Sequence, residues 1–166
     1  MPKRLLQRCV PDSIQEYRRA ASERFRDAVA LALRGRRTGA VYLWGYVAEM
    51  TLKAAFFEVI GFPSNLRISA ADLKGAKAKA KSLGVLWAGN YHDLSAWAQA
   101  LVSTRATTPG KAYPQAGFAN RILGEVRSLH LLWGETLRYH KNIAYLHEVW
   151  RARLAAEWLL ANATSL

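Results

Sequence analysis

Four polar side chains interrupt the most apolar stretch of the sequence, residues 38–61, at a spacing that could build a binding site. Steps of four, three and four residues place them on one side of an α-helix: Tyr42, Tyr46, Glu49 and Lys53. Two phenols, a carboxylate and an ammonium group could line a polar cleft. The same spacing also suits a structural ion pair between Glu49 and Lys53, with the two tyrosines at the surface of a helix bundle.

Arginine and histidine occur together in the C-terminal third of the chain, and these two residue types can cleave RNA without a metal. Such cleavage needs a cation that holds the scissile phosphate and a group that carries protons near neutral pH. If a helix ends there, a turn could bring Arg138, Tyr139 and His140 to the polar edge, with Arg138 as phosphate clamp and His140 as proton carrier. The alternative is that Arg138 pairs with Glu49 or Glu135 and that His140 is simply solvated.

Other polar residues at helical spacing, or at a predicted helix start, are further candidates for RNA or nucleotide contacts. Arg127 and His130 could share a side of a long fifth helix with Arg138. His92 lies at the predicted start of a helix, where its ring could bond to backbone or close a cleft. A basic run at three- and four-residue steps could gain order from an anion or form an ordinary solvated face: Lys74, Lys77 and Lys81.

The net charge indicates a polyanionic partner. The chain has 24 Lys and Arg against 12 Asp and Glu, a formal charge of +12. The basic residues are concentrated before Thr38, which favours a binding surface over evenly spread charge. RNA or a nucleotide is therefore the predicted ligand, and a basic surface that only keeps the protein in solution is the alternative.

Several common chemistries lack their motifs in this sequence. Cys9 is the single cysteine, so neither a cysteine zinc site nor an internal disulfide can form. There is no HExxH helix, no phosphate-binding glycine loop and no Gly-x-Ser-x-Gly elbow. We expect no metal and no cofactor. Residues 1–11 form a basic extension without a long apolar core, which together with the lone thiol predicts a cytoplasmic protein.

Helical periodicity runs through residues 12–166 and predicts one all-α domain, a bundle of five or six helices. We predict a central helix, and the side chains expected in the core include Trp44, Leu52, Phe56, Trp133 and Trp150. The last helix is predicted to bury the stripe Ile143, Leu146, Trp150, Leu154 and Trp158. The predicted helices cover residues 12–35, 38–61, 69–83, 92–105, 115–138 and 142–161, with Asn142 as N-cap of the last one.

A membrane span is the competing interpretation of the central segment, because that segment is long enough to cross a bilayer. Three charged residues argue against it: Glu49, Lys53 and Glu58. A charge near the middle of a span costs about 2.5–3.5 kcal/mol on insertion scales. We therefore predict no membrane association.

Three short motifs resemble the HEPN family of small helical proteins. They are GYVAEMTLKA at residues 45–54, Tyr91-His92-Asp93-Leu94, and Trp133 followed by Leu137-Arg138-Tyr139. The resemblance implies a helical bundle that forms homodimers and binds RNA or nucleotide in a toxin–antitoxin or defence setting. It also implies an antitoxin or nucleotidyltransferase partner.

Many HEPN proteins are metal-independent ribonucleases whose signature is an arginine, four to six residues and then a histidine. No arginine stands at that spacing before any of the four histidines of this chain. The predicted function is therefore RNA or nucleotide binding through a basic cleft, with RNA cleavage as its sharper form. The alternative is a non-catalytic adaptor that docks a nucleotidyltransferase-type or other protein partner.

Overall fold

The computed structural model describes residues 11–166, and all regular structure in that range is helical. The predicted all-α class is confirmed. The basic extension and Cys9 fall, apart from Pro11, outside the described residues. The helices are α1 (Ile14–Leu33), α2 (Arg37–Val59), α3 (Ala70–Ser82), α4 (Leu94–Thr107), α5 (Phe118–His130), a 3₁₀ helix (Glu135–Tyr139) and α6 (Leu146–Ala161).

α1 and α2 form an antiparallel hairpin, as predicted. The Ser13 hydroxyl accepts the N–H of Glu16 and caps the start of α1. Gly35 ends the helix because its φ of +73° is a left-handed conformation that glycine adopts without strain. The short turn returns the chain along α1, so the two helices pack along their length.

α2 is the central helix of the bundle. It packs against α1, α4 and α6 and also contacts α5 and the 3₁₀ helix. Most of its side chains are buried, including Trp44, Leu52 and Phe56. No helix between residues 11 and 166 is both long and apolar enough to span a bilayer, so the membrane-span interpretation of this segment fails.

Side-chain caps fix the starts of α3 and α4 close to the predicted positions. Ser69 and Asp72 form a reciprocal capping box at α3. The Asp93 carboxylate accepts the N–H of Ala96 at α4. This cap places His92 one residue before the N-cap and two before the first residue of α4.

The predicted fifth helix, residues 115–138, is wrong at both ends. α5 begins at Phe118 after Gly117, whose φ is +82°, and ends at His130. Trp133 then packs against Gly45 of α2, and its indole N–H donates to the Tyr42 carbonyl over 2.9 Å. This contact fixes the indole on α2 as the chain leaves the α5 axis, so Arg138 lies on the separate 3₁₀ helix and not on one side of α5 with Arg127.

The last helix also departs from the prediction. α6 begins at Leu146, and Asn142 caps α2 instead of α6: its side chain accepts the Thr38 N–H over 3.1 Å and donates to the Gly35 carbonyl over 2.7 Å. Thr38 Oγ1 in turn accepts the N–H groups of Ile143 and Ala144. The connection before α6 is thus tied to the α1–α2 turn.

The core face of α6 is built largely from small residues, so its predicted buried stripe is wrong. The side chains that pack inward are Val149, Ala152, Ala155, Ala156 and Leu159. The predicted stripe points outward, except for the half-buried Trp158: Ile143, Leu146, Trp150 and Leu154 are exposed. Alanines allow a helix backbone to approach its neighbour closely, which explains why the larger side chains are displaced to the outer surface.

Candidate functional site

A polar cluster joins three parts of the chain: Glu49 and Lys53 are buried, and His92 and Glu135 are half-buried. Glu49 receives Lys53 Nζ on one carboxylate oxygen at 2.5 Å and His92 Nδ1 on the other at 2.9 Å. His92 Nε2 lies 3.4 Å from Glu135 on the 3₁₀ helix. His92 therefore lies between two carboxylates, hydrogen-bonded to Glu49 and close to Glu135.

Glu49 and Lys53 lie in the interior, and the expectation that both line an open cleft is wrong. Their exposed fractions are only 3% and 6%. The Lys53 ammonium is 6.0 Å from the ring centre of Tyr17 and 5.6 Å from that of Trp97, close enough for cation–π attraction. This burial and the ion pair agree with the structural pairing of Glu49 and Lys53 that the helical spacing also suits.

The outer side of the cluster opens into a shallow cavity of about 300 Å³. Asn90 shapes its rim, because its side chain accepts the His92 N–H and donates to Glu135 over 2.8 Å. His130 also lines this cavity, so the structure brings two predicted site residues, His92 and His130, to one surface. Glu135 makes the floor partly anionic, which does not suit a phosphate.

Tyr42, Tyr46 and Arg138 form a second polar group above the cluster. The Tyr42 hydroxyl donates to the Tyr46 hydroxyl over 3.3 Å, and the Tyr46 ring packs edge-on against His92. Burial, followed by this hydrogen bond, raises the pKa of Tyr46. Partial desolvation lowers the pKa of Arg138, but the neighbouring Tyr139 and Tyr42 outweigh it and the net shift is upward. Arg138 makes no ion pair with Glu49 or Glu135, contrary to the structural alternative.

His140 faces a different neighbourhood from Arg138. It lines a cavity of about 310 Å³ with Arg36, Lys141 and Asn142, beside the first turn of α2. Arg138 instead lies over the Tyr139 ring, 4.7 Å from its centre. The predicted convergence of Arg138 and His140 on the polar edge of α2 is thus met by Arg138 alone.

We call the basic surface beside the α1–α2 turn, together with Arg138 on the preceding 3₁₀ helix, the basic end; its residues are Arg36, Arg37, Arg138, His140 and Lys141. None of these side chains forms an ion pair with an acidic residue among residues 11–166. All but the half-buried Arg37 are exposed. The hydrogen bonds of Asn142 and Thr38 hold the two chain segments of the basic end together.

The remaining predicted contacts lie elsewhere. Arg127 is exposed on α5. Lys74 and Lys81 are exposed on α3, whereas the Lys77 ammonium donates to the Gly89 carbonyl over 2.8 Å and supports the loop before His92. Just before α3, the N–H of Ile68 donates to the Asp12 carbonyl, next to the start of α1. α3 therefore begins at the opposite end of the α1–α2 hairpin from the basic end.

The described residues contain no group of three or more His, Cys, Asp or Glu side chains placed to hold a metal ion. The sequence analysis did not identify five residues of the two sites as contacts: Arg36, Arg37, Asn90, Lys141 and Asn142. The sequence does indicate Arg36 and Lys141 as candidates, since each lies beside a predicted helix start. It does not indicate that they lie together, because that depends on contacts between segments more than a hundred residues apart.

Comparisons with known proteins identify no relative. No family model matches the chain, and no curated protein or solved structure is significantly similar to it. The resemblance to HEPN proteins therefore stays a prediction, supported by the short motifs alone.

Proposed function

We propose that this protein binds single-stranded RNA through the basic end. The observation that carries the proposal is the cavity where Arg36, His140 and Lys141 meet without an acidic partner among the described residues. Uncompensated cations attract a polyanion because binding releases the counterions condensed on its phosphates. An arginine fork and a lysine ammonium next to each other are also the usual protein ligands of phosphate.

The position of α2 supports a phosphate at the same place. The positive end of a helix macrodipole lies at its N-terminus, and α2 begins at Arg37 beside the cavity. Asn142 already accepts the N–H of Thr38, so α2 contributes the field of its N-terminus at this place and not that donor. The cations and the helix end therefore add their fields over one surface, and both favour an anion.

Exposed aromatic rings next to these cations suit unpaired bases. Tyr139 is exposed, with the Arg138 guanidinium over its ring. Tyr145 is exposed and stacks on His147, with ring centres 5.8 Å apart and planes 9° apart. Base stacking on an aromatic ring contributes about 1–3 kcal/mol per base and does not depend strongly on sequence. This combination favours single strands over duplex.

The resemblance to HEPN proteins agrees with this ligand class and suggests a cytoplasmic toxin–antitoxin or defence setting. RNA cleavage is the sharper form of the proposal. In it His140 carries the proton, while Arg36 or Arg138 holds the phosphate. Incubating labelled RNA with the protein in a chelator tests this form: cleavage that His140→Ala abolishes supports it, and cleavage unaffected by His140→Ala removes that residue from the chemistry.

Fluorescence anisotropy with a labelled oligouridine of about 12 nucleotides tests binding itself. We expect Arg36→Ala/Lys141→Ala to weaken binding at least about tenfold, because two phosphate contacts are lost. Arg67→Ala/Lys111→Ala is the matched control, since it removes the same charge from exposed positions outside the basic end. Equal losses in both pairs would mean that only net charge matters, and a loss confined to Lys74→Ala/Lys81→Ala would move the site to α3. Either result would reject the basic end.

A further inference from the structure

α6 presents large apolar side chains to the outside of the bundle. The exposed fractions are 65% for Leu146, 59% for Trp150 and 57% for Leu154, and Leu33 at the end of α1 is 84% exposed. The three α6 residues recur every four positions and point away from the face that packs on α2. Single exposed apolar residues need no explanation, but a continuous stripe on one helix marks an interaction surface.

The stripe borders a groove between α1 and α6, which we call the α1–α6 groove. Its volume is about 180 Å³. The buried Trp44 of α2 lies at its floor. Its walls are almost entirely apolar: Val29, Ala32, Leu33, Leu146, Val149, Trp150 and the stem of Arg153. A groove of this shape, formed by two neighbouring helices, suits the apolar edge of a third helix.

The charge around the groove is positive. Arg34 follows Leu33 and Arg151 follows Trp150, and neither forms an ion pair with an acidic residue in the described part of the chain. Arg153 lies 5.8 Å from the Trp150 ring centre and pairs with Glu157 at 3.6 Å, so it adds no net charge. Two arginines without an ion pair are thus next in sequence to residues that line the groove, against one such carboxylate, Glu148, which precedes Val149 and accepts the Tyr145 N–H.

This charge pattern distinguishes between two possible occupants of the groove, a second copy of the chain and a different protein. A second copy of the chain, the homodimer expected from the HEPN resemblance, would bring another +12 to the contact and would place Arg34 and Arg151 near their counterparts. Like charges that face each other oppose association. A partner with acidic residues beside its apolar edge would instead neutralise both arginines.

We propose that the α1–α6 groove binds an amphipathic helix of an acidic partner protein. Apolar residues of that helix at i, i+3 or i+4, and i+7 would occupy the groove and cover Trp150, and its Asp or Glu side chains would meet Arg34 and Arg151. Trp150 is the expected anchor, because tryptophans carry a large share of the energy in such interfaces. The proposal concerns protein docking and does not depend on RNA binding at the basic end.

The probe is a labelled synthetic helix of about 18 residues, roughly 27 Å long, with leucines on one side and glutamates beside them. Two controls share its length: a scrambled peptide of identical composition and an analogue with lysine in place of glutamate. Anisotropy is measured with the full chain at near-physiological salt. We expect the acidic amphipathic peptide to bind at least about tenfold more tightly than either control.

Variants locate the binding. Trp150→Ser and Leu146→Ser should each weaken the peptide complex about tenfold or more, and Arg151→Glu should weaken it as well. Leu86→Ser is the matched control because Leu86 is an exposed leucine in the loop between α3 and α4, and it should change nothing. An unchanged urea transition for Trp150→Ser confirms that the fold is intact.

Three results would overturn the proposal. The first is equal binding of the amphipathic and scrambled acidic peptides, or no loss with Trp150→Ser. The second is a dimer in light scattering that Trp150→Ser dissociates, which identifies a second copy as the occupant. The third is loss of oligouridine affinity with Trp150→Ser while peptide binding is unchanged, which identifies the surface as a stacking platform for RNA.

Discussion

Asn142 Oδ1 accepts a hydrogen bond from the backbone N–H of Thr38 over 3.1 Å, although the two residues are 104 positions apart. The same side chain donates to the Gly35 carbonyl. One amide therefore caps α2, closes the α1–α2 turn and fixes the segment that carries His140 and Lys141.

Removing this amide should affect both stability and RNA binding. We expect Asn142→Ala to reduce the free energy of unfolding by about 0.5–2 kcal/mol, the usual cost of a lost N-terminal cap. RNA affinity should fall too, because the two halves of the basic end are no longer held together. Urea unfolding and anisotropy measure the two effects, and Asn65→Ala in the exposed turn after α2 is the control. An unchanged RNA affinity would show that the basic end does not depend on this cap.

Breaking the Glu49–Lys53 ion pair should lower the free energy of unfolding without directly affecting RNA binding. Lys53→Met leaves the buried Glu49 with the His92 ring as its only side-chain hydrogen-bond partner in the described part of the chain, and we expect a loss of about 3–5 kcal/mol in the free energy of unfolding. The double substitution Glu49→Met/Lys53→Met should restore part of this free energy of unfolding, since no unpaired charge stays buried. If Lys53→Met abolished RNA binding at full stability, Lys53 would be a ligand contact and its assignment as structural would be wrong.

The Trp133 indole packs so closely against α2 that only glycine fits at residue 45. A methyl group at this position would lie 2.0 Å from the ring, far inside contact distance. Gly45→Ala should therefore displace Trp133, break its bond to the Tyr42 carbonyl and cost about 1–3 kcal/mol. Gly124→Ala in α5 is the control: apart from its own stretch of helix, no atom lies within 4 Å of the added methyl, so it should stabilise by up to about 1 kcal/mol. Chemical denaturation followed by tryptophan fluorescence measures both.

Alkaline pH should destabilise the fold through its buried tyrosines. Burial is the first cause of a raised pKa at Tyr17, Tyr46 and Tyr113, to about 12 for Tyr113. Because the folded state favours the neutral phenol, this stability is complete below the unfolded pKa of about 10 and is lost as pH rises through the folded pKa. We expect the urea midpoint to fall steadily between about pH 10 and 12. A midpoint that is flat across this window would mean that the phenols ionise in place.

The sequence predicted the first four helices well because local signals define them. Ser13, Gly35, Ser69 and Asp93 are caps or terminators that act within a few residues. The cation stripe of α3 and the polar side of α2 likewise follow from helical spacing alone. Helical spacing does not indicate how deeply a side chain is buried, so Glu49 and Lys53 were predicted to line a cleft although both are buried.

The errors in the last third of the chain have a common physical cause. α6 is apolar on two sides, and its periodicity does not indicate which side faces the core. The small side chains Ala152, Ala155 and Ala156 allow close packing and turn Trp150 outward. Contacts between distant segments could not be predicted from the sequence either: Glu49 contacts His92 across 43 residues, and Trp133 contacts Tyr42 across 91.

The salt dependence of RNA binding tests the basic end most directly. Plotting log affinity for oligouridine against log salt between about 50 and 300 mM should give a straight line with a slope near −0.7 per phosphate contact, about −2.1 to −3.5 for three to five contacts. Arg36→Ala/Lys141→Ala should reduce the magnitude of that slope by about 1.4, and Arg67→Ala/Lys111→Ala should leave it unchanged. A wild-type affinity that is absent at low salt or indifferent to salt, or a slope that Arg36→Ala/Lys141→Ala does not change, would contradict RNA binding at the basic end.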